Sequence, residues 1–214
     1  MREDLFFLLA HQQEAAVIQL IENGRYSLKD IDGEGTPAIV AATICNCFEV
    51  LKYLIEKKRE NINEAGNNGD NALNYAAFNG NYDMCKYLIE KGIDIHHTNN
   101  KKQNALHNCF KRRIKIDVID LLINNDINFY AEDSLGFSPI IHAVQTNHIE
   151  AVKRMTKSNT FNINTKVFNH TQNIIDYACS SEMINLFEQF YSKMDNFSLE
   201  SLYHIRFKFI LAKK

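Results

Sequence analysis

The sequence predicts an all-α solenoid of about six stacked helix-turn-helix units, joined by hairpin-like linking turns and followed by a C-terminal helix. The first observation is an internal period: a short polar residue recurs at intervals of 35, 33, 34 and 35 residues, at Thr36, Asn71, Asn104, Ser138 and Asn173. The second is that an apolar stretch with helical spacing follows each of these positions. The third is that glycine, asparagine and aspartate cluster between the repeats, as turns require.

The segment 66–98 is the clearest copy of the unit. Polar turn formers open it, a short helical run follows, and Gly80 is placed to end that run. A second helical run covers 82–90 and is closed by Gly92. The apolar residues that share one face are Leu73, Ala76 and Ala77 in the first run, and Met84, Cys85, Leu88 and Ile89 in the second. Such a pair cannot bury its apolar face alone, so it is stable only when stacked on neighbours.

The repeat array is expected to cover residues 1–192. Its units are a degenerate N-terminal cap over 1–30 and repeats over about 31–65, 66–98, 99–132, 133–167 and 168–192. Terminal repeats are expected to be atypical because one of their sides faces water. A final helix is predicted within 193–214, where it would cap the last repeat. The alternatives for this helix are contact with a membrane or a partner helix, or service as a translocation signal.

The heptads that follow the recurrent position read TPAIVAA, NALNYAA, NALHNCF, SPIIHAV and NIIDYAC. They resemble the ankyrin repeat family, whose unit is about 33 residues long and carries a T-P-L-H-x-A signature. The closest matches to that signature are Thr36-Pro37, Leu106-His107 and Ser138-Pro139. The resemblance covers roughly residues 5–190 and implies a stacked fold that acts by binding, with no particular target.

Composition narrows the class of protein. The chain has 214 residues, 45% of them hydrophobic and 23% charged, and a net charge of −2, which is ordinary for a folded soluble protein. No apolar run approaches the roughly 20 residues of a membrane span, and the six-residue run LFFLLA is too short for a secretory signal. We therefore expect a cytoplasmic, monomeric protein with reduced cysteines, for which membrane association is disfavoured.

The sequence predicts no catalytic, metal or cofactor site. Cys45 and Cys47 are close together, but no two further ligands follow at zinc spacing. The eight histidines fall in turns, linkers and ordinary repeat positions, and no glycine-rich phosphate loop is present. The pattern is typical of a protein that is not an enzyme.

The expected contact surface is the concave groove formed by the first helices together with the hairpin tips. Phe78 lies seven residues after the recurrent position, at the groove end of its helix in the architecture that the resemblance implies. A large aromatic residue is unusual at a solvated site, and the alternative is that this ring packs on its neighbours. The expected partner-binding residues are Asn68, Asp70, Phe78, Asn79, Lys101, Gln103, Lys111, Arg112, Leu135, Phe137 and Gln145.

Residues 101–115 contain six basic side chains and no acidic one. Such a segment favours a partner protein with an acidic or phosphorylated segment, and Leu135 and Phe137 are expected to complete a mixed apolar and basic patch with Lys101 and Lys111. The alternative is a solvated charge run. Nucleic acid is disfavoured as a partner because the chain is not basic overall.

The preferred function is a non-catalytic protein–protein interaction module that grips its partner through the groove and the hairpin tips. The 25 Asn and 24 Ile residues indicate an A/T-rich source genome, which fits intracellular bacteria, large DNA viruses and some protists alike. A short ankyrin array with this bias resembles translocated bacterial effectors, which act in the cytosol of a host cell, more than it resembles viral host-range proteins. The alternative is a structural or targeting protein whose basic amphipathic C-terminal helix attaches it to a membrane or a partner.

Overall fold

The computed structural model describes residues 5–24, 27–111, 115–158, 161–162, 166–167, 172–178 and 180–191, and the chain divides into two compact units, Met1–Asn128 and Phe129–Lys214. The helices of the first unit are α1 (Leu5–Ala10), α2 (Glu14–Glu22), α3 (Ala38–Ile44), α4 (Phe48–Tyr53), α5 (Ala72–Asn79), α6 (Tyr82–Glu90), α7 (Ala105–Cys109) and α8 (Ile116–Asn124), with a π-helical turn at Leu54–Lys58 after α4. The helices of the second unit are α9 (Pro139–Gln145), α10 (Ile149–Thr156) and α11 (Ser181–Tyr191). These paired helices confirm the predicted all-α repeat fold.

Asparagine side chains begin the helices of the central repeats. Asn71, Asn81 and Asn104 are the N-caps of α5, α6 and α7, and their Oδ1 atoms accept hydrogen bonds of 3.0, 3.0 and 3.2 Å from the backbone N–H three residues later. The backbone N–H of Asn104 donates in turn to Nδ1 of His107 at 3.1 Å, which completes a capping box. Gly80 ends α5 in the left-handed region at φ +66°, as predicted. The recurrent polar position of the sequence is therefore a helix N-cap in these repeats.

The first helices of successive repeats stack side by side in the first unit. α5 lies between α3 and α7, while α2 packs on α4 and α6 packs on α8. The facing side chains form the core, and its members with at most 1% exposure include Leu51, Leu73, Leu88, Leu106 and Ile119. Of the stripe predicted for α6, Met84, Cys85 and Leu88 are buried and Ile89 is half-buried at the edge. Burial of each such leucine contributes on the order of 2 kcal/mol to stability.

The turns before the first helices are also tied to one another. The backbone N–H of Asn100 donates to the carbonyl oxygen of Asn68 at 3.0 Å, and the Asn100 Nδ2 donates to the carbonyl oxygen of Asn67 at 2.8 Å. One repeat earlier, Nδ2 of Asn67 donates to the carbonyl oxygen of Glu34. Because the partners of both side-chain bonds are 33 residues apart, the same contact recurs from turn to turn and fixes the turns in register.

The second unit begins with a regular helix pair, α9 and α10, which pack on each other. Pro139 is the first residue of α9, where its missing N–H costs no hydrogen bond. Asn147 adopts φ +58° after α9, which confirms the sequence prediction that it replaces glycine at a left-handed helix end. Its Oδ1 accepts a 2.5 Å hydrogen bond from Oγ of Ser180, just before α11.

Repeat six differs from its prediction. The sequence predicts an α-helix through Ile174, Ile175 and Ala178, but Ile174–Tyr177 form a single 3₁₀ turn. This turn follows a two-stranded antiparallel ladder, β1 (Lys166–Val167) and β2 (Gln172–Asn173). Only residues 174–180 lie between β2 and α11. This segment is too short to hold both an α-helix of ordinary length and a loop. The predicted helix within 193–214 lies outside the described residues, and it stays a prediction together with the repeat boundaries.

The structure predicts a large difference between two glycine substitutions. A Cβ atom at Gly80 would lie 2.6 Å from Cγ of Lys115, whereas a Cβ at Gly24 meets nothing within 4 Å, although the two residues share φ values of +66° and +67°. Both alanine variants bear the cost of a left-handed residue, about 1 kcal/mol. Gly80→Ala should lose at least about 1 kcal/mol more, because the clash adds to that cost. Urea denaturation measures both values, and equal losses would contradict the packing at Gly80.

Candidate functional site

A small cleft lies between the third and fourth repeats of the first unit. Its volume is about 100 Å³, and it is lined by Asp70, Tyr75, Phe78, Asn108 and Lys111. We call it the Phe78 cleft. Three of the sequence-predicted contact residues, Asp70, Phe78 and Lys111, therefore line one site.

Helix geometry explains why the aromatic rings meet in this cleft. Tyr75 and Phe78 are three residues apart on α5, so their side chains share a face of that helix. α7 packs beside α5, and its Asn108 stands at the same distance from its N-cap as Tyr75 does. Lys111 follows the end of α7. Tyr75 and Phe78 are half-buried, which places part of each ring on the surface of the cleft.

Asp70 is the centre of the polar network behind the cleft. Its side chain is 7% exposed, and its two carboxylate oxygens accept hydrogen bonds from Nδ2 of Asn68 at 2.8 Å, of Asn99 at 2.9 Å and of Asn108 at 3.2 Å. These donors come from two successive turns and from α7, so the carboxylate links two repeats. Asp70 is predicted as a contact residue from its position in a hairpin tip, and its buried oxygens tie that tip to Asn99 and Asn108 of the next repeat.

Asn68 connects the network to the aromatic side of the cleft. Its exposed side chain donates from Nδ2 to the Tyr75 hydroxyl at 3.0 Å, in addition to Asp70. Its Oδ1 accepts from the backbone N–H of Asp70 at 3.0 Å, which forms a local turn. Burial raises the pKa of the Tyr75 phenol, so this hydroxyl stays protonated at neutral pH. The side chain of Asn68 is therefore at once exposed and held in place.

Polar and basic residues flank the cleft on the side of the fourth repeat. Nζ of Lys111 donates to Oε1 of Gln103 at 2.6 Å, which brings two predicted contact residues together. Lys101 is exposed in the preceding turn, where its backbone N–H donates to Oδ1 of Asn99 at 2.9 Å. Lys101 and Lys111 thus present two ammonium groups on one repeat. Arg112 lies outside the described residues.

Asn79 belongs to a different depression. Its Nδ2 donates to the carbonyl oxygens of Thr43 at 3.1 Å and Ile44 at 3.3 Å, so it satisfies groups at the C-terminal end of α3. It lines an open depression of about 520 Å³ whose other members are Ile44, Asn46, Gly80, Asn81, Tyr82 and Asp83. One residue along a helix turns the side chain by about 100°. For this reason Asn79 does not share the cleft of Phe78.

The remaining predicted contact residues belong to the second unit. Leu135 is 72% exposed at the tip of its turn, and Gln145 is exposed at the end of α9. Phe137 is half-buried, with its ring centroid 5.8 Å from that of His142. Oδ1 of Asp133 accepts from the backbone N–H groups of Leu135 and Phe137 at 2.9 and 3.0 Å and fixes the turn. The predicted patch that joins these residues to Lys101 and Lys111 spans both units and stays a prediction.

Sequence reasoning missed two residues of the cleft, Tyr75 and Asn108. Both stand four residues after the recurrent polar position of their repeats. The helical spacing between Tyr75 and Phe78 was a usable signal, because residues three apart share a face. Asn108 carried no such signal, since an asparagine inside a helix is also compatible with a solvated position.

Within the described ranges, no helix combines the length and the apolar character needed to cross a membrane. Among the same residues, no group of three histidine, cysteine, aspartate or glutamate side chains is arranged to hold a metal ion.

The stacked helix pairs with their linking turns define a repeat protein, and comparison with known families identifies which one. A sequence model described as ankyrin repeats (3 copies) matches residues 5–99 and 92–167. The chain therefore belongs to the ankyrin repeat family. Members of this family are generally protein–protein interaction modules and are typically non-catalytic. Comparison with curated proteins gives no match.

Proposed function

We propose that the chain is a non-catalytic binding module that holds a partner protein against the Phe78 cleft. The observation that carries this proposal is the cleft itself, which two partly exposed aromatic rings line together with Lys111. Aromatic residues together with cations are enriched where interfaces bury their central contacts. The family's general mode of action supports the same function.

The charge around the cleft favours an acidic partner segment. Lys101, Lys102 and Lys111 are exposed on one repeat, and the sequence from 101 to 115 has no acidic residue. The carboxylate of Asp70 also lines the cleft, but it is buried and accepts hydrogen bonds from three amide groups of the protein, which offset its negative charge. An acidic or phosphorylated segment would add charge-assisted hydrogen bonds to these lysines. Binding should therefore weaken as the salt concentration rises.

The site is suited to a partner that binds without reshaping it. The network around Asp70 fixes two turns and α7 before any partner arrives. A pre-formed surface avoids the entropic cost of ordering side chains and loops on binding. Rigid capture of this kind fits an adaptor, and the Asn- and Ile-rich composition supports the narrower role of a bacterial effector in the cytosol of a host cell.

The experiment that tests the proposal compares two double variants in affinity capture from a eukaryotic lysate, read by quantitative mass spectrometry. Phe78→Ala with Lys111→Glu removes a ring and reverses a charge within the cleft. We expect at least about a tenfold loss of the captured partner, since truncation of a central aromatic contact costs about 2 kcal/mol or more.

The control variant also removes a ring and reverses a charge, but on the second helix of the third repeat, outside the lining of the cleft. Tyr82→Ala with Lys86→Glu removes a ring that is 36% exposed and reverses a charge on a side chain that is 53% exposed. We expect this variant to retain capture. Equal urea midpoints for the two variants would show that a difference in captured partner is not caused by unfolding. Unchanged capture by the cleft variant would refute the proposal.

A further inference from the structure

Asn108 holds an unused hydrogen-bond acceptor at the Phe78 cleft. It is 3% exposed, which makes it the least exposed of the five lining residues. Its Nδ2 donates to Oδ1 of Asp70 at 3.2 Å and to the carbonyl oxygen of Asn74 at 3.4 Å. Since both neighbours are acceptors, the orientation of the amide is fixed by its surroundings. Its Oδ1 has no hydrogen-bond partner among the described residues.

A buried acceptor without a partner is uncommon in folded proteins, because it has lost its water and gained nothing in return. Oδ1 is closed off from solvent in the unbound protein, so a donor from a ligand reaches it, and removes this cost, only after a neighbouring side chain has moved. The neighbouring groups restrict what that ligand can be: the rings of Tyr75 and Phe78 favour an apolar or aromatic body, and the ammonium of Lys111 disfavours a second cation.

From these groups we infer that the partner inserts a tyrosine side chain into the Phe78 cleft and donates its hydroxyl hydrogen to Oδ1 of Asn108. This inference rests on the proposed function and names the residue that the site selects. Phenylalanine and leucine lack a donor, and aspartate and glutamate lack one in their ionised form. Serine and threonine carry a donor but no ring to pack against Tyr75 and Phe78.

Entry of the ring requires one side chain to move. Lys111 is the most exposed of the lining residues, so its flexible chain is the one that swings aside at the lowest cost. The ammonium group of Lys111 then gives up its hydrogen bond to Oε1 of Gln103 and donates to a carboxylate of the partner instead. The inferred recognition element is therefore a tyrosine with acidic neighbours. Phosphorylation of this tyrosine would replace the donor with acceptor oxygens and should weaken insertion.

The test uses fluorescently labelled peptides with the full chain, read by anisotropy. The reference probe is Gly-Glu-Glu-Tyr-Glu-Glu-Gly, and the matched probes carry phenylalanine or phosphotyrosine at the centre. We expect the phenylalanine probe to bind about 5- to 100-fold more weakly, because it leaves Asn108 Oδ1 unpaired. The phosphotyrosine probe should also bind more weakly than the reference. Equal affinities of the tyrosine and phenylalanine probes would overturn the inference.

Asn108→Ala supplies the matching change on the protein. It should abolish the difference between the tyrosine and phenylalanine probes, as a double-mutant cycle requires of directly interacting groups. If Asn108→Ala fails to fold, the peptide series on the unaltered chain still decides. A chain that binds none of the probes, yet loses its lysate partner on Phe78→Ala with Lys111→Glu, would overturn the tyrosine inference and leave the proposed function standing.

Discussion

Asp70→Ala is expected to lower the free energy of unfolding by about 2–4 kcal/mol, which is the largest loss we expect for one surface-proximal residue. The substitution removes a buried carboxylate and leaves the Nδ2 groups of Asn68, Asn99 and Asn108 without that acceptor. Hydrogen bonds to a charged group are worth more than neutral ones, and the amide of the buried Asn99, which loses this acceptor, adds its own desolvation cost. Urea denaturation at neutral pH measures the change.

Glu34→Ala is the matched control for this prediction. It also removes a carboxylate from a turn before a first helix, but the side chain of Glu34 is exposed. The expected change is within about 0.5 kcal/mol, as is usual for surface substitutions. If Asp70→Ala were no more destabilising than Glu34→Ala, the network around Asp70 would not link the repeats.

The second large effect concerns thiol reactivity. Burial raises the pKa of Cys47 to about 12, and burial likewise raises that of Cys109 to about 12. The Cys47 thiol also donates a hydrogen bond to the carbonyl oxygen of Leu9 at 3.2 Å. Alkylation proceeds through the thiolate, whose fraction at pH 8 falls on the order of a thousandfold when the pKa rises from its ordinary value to about 12. Burial also raises the pKa of Cys45, but this thiol is half-exposed, and it should therefore react first.

Iodoacetamide labelling followed by mass spectrometry checks whether Cys45 reacts before Cys47 and Cys109. The experiment uses the Cys179→Ser protein, because Cys179 lies outside the described residues. Since the folded-state pKa values lie above those of the unfolded chain, ionisation of these thiols favours unfolding. The stability of the protein should therefore fall as the pH rises from about 9 toward 12. Labelling of Cys47 as rapid as that of Cys45 in the folded protein would contradict the burial of Cys47.

The periodic parts of the fold were predictable because each repeats a local rule. Asparagine before an apolar run predicts an N-cap, and Asn71 and Asn104 both serve as one. Glycine or asparagine after such a run predicts a left-handed end, as Gly80 and Asn147 confirm. The sixth repeat was mispredicted because the apolar residues from Ile174 onward have the spacing of a helix. The segment between the strand pair and α11 is short, and it forms a single 3₁₀ turn.

The candidate site was predictable only in part, because it depends on contacts between repeats. Phe78 and Lys111 were found from their matching positions in consecutive repeats, and both line the cleft. The role of Asp70 was missed, since its position in a hairpin tip indicates solvent exposure, whereas asparagines from two turns and α7 enclose it. A partner one repeat away carries no signal in local spacing, which is why Asn108 was also missed.

The most direct test of the central claim is the amount of partner captured by Phe78→Ala with Lys111→Glu relative to the control Tyr82→Ala with Lys86→Glu. The two variants differ in whether the lost ring and the reversed charge belong to the Phe78 cleft. If the cleft is where the partner docks, the ratio falls to about one tenth or below while both proteins unfold at the same urea concentration. A ratio near one would show that the partner is held elsewhere on the chain.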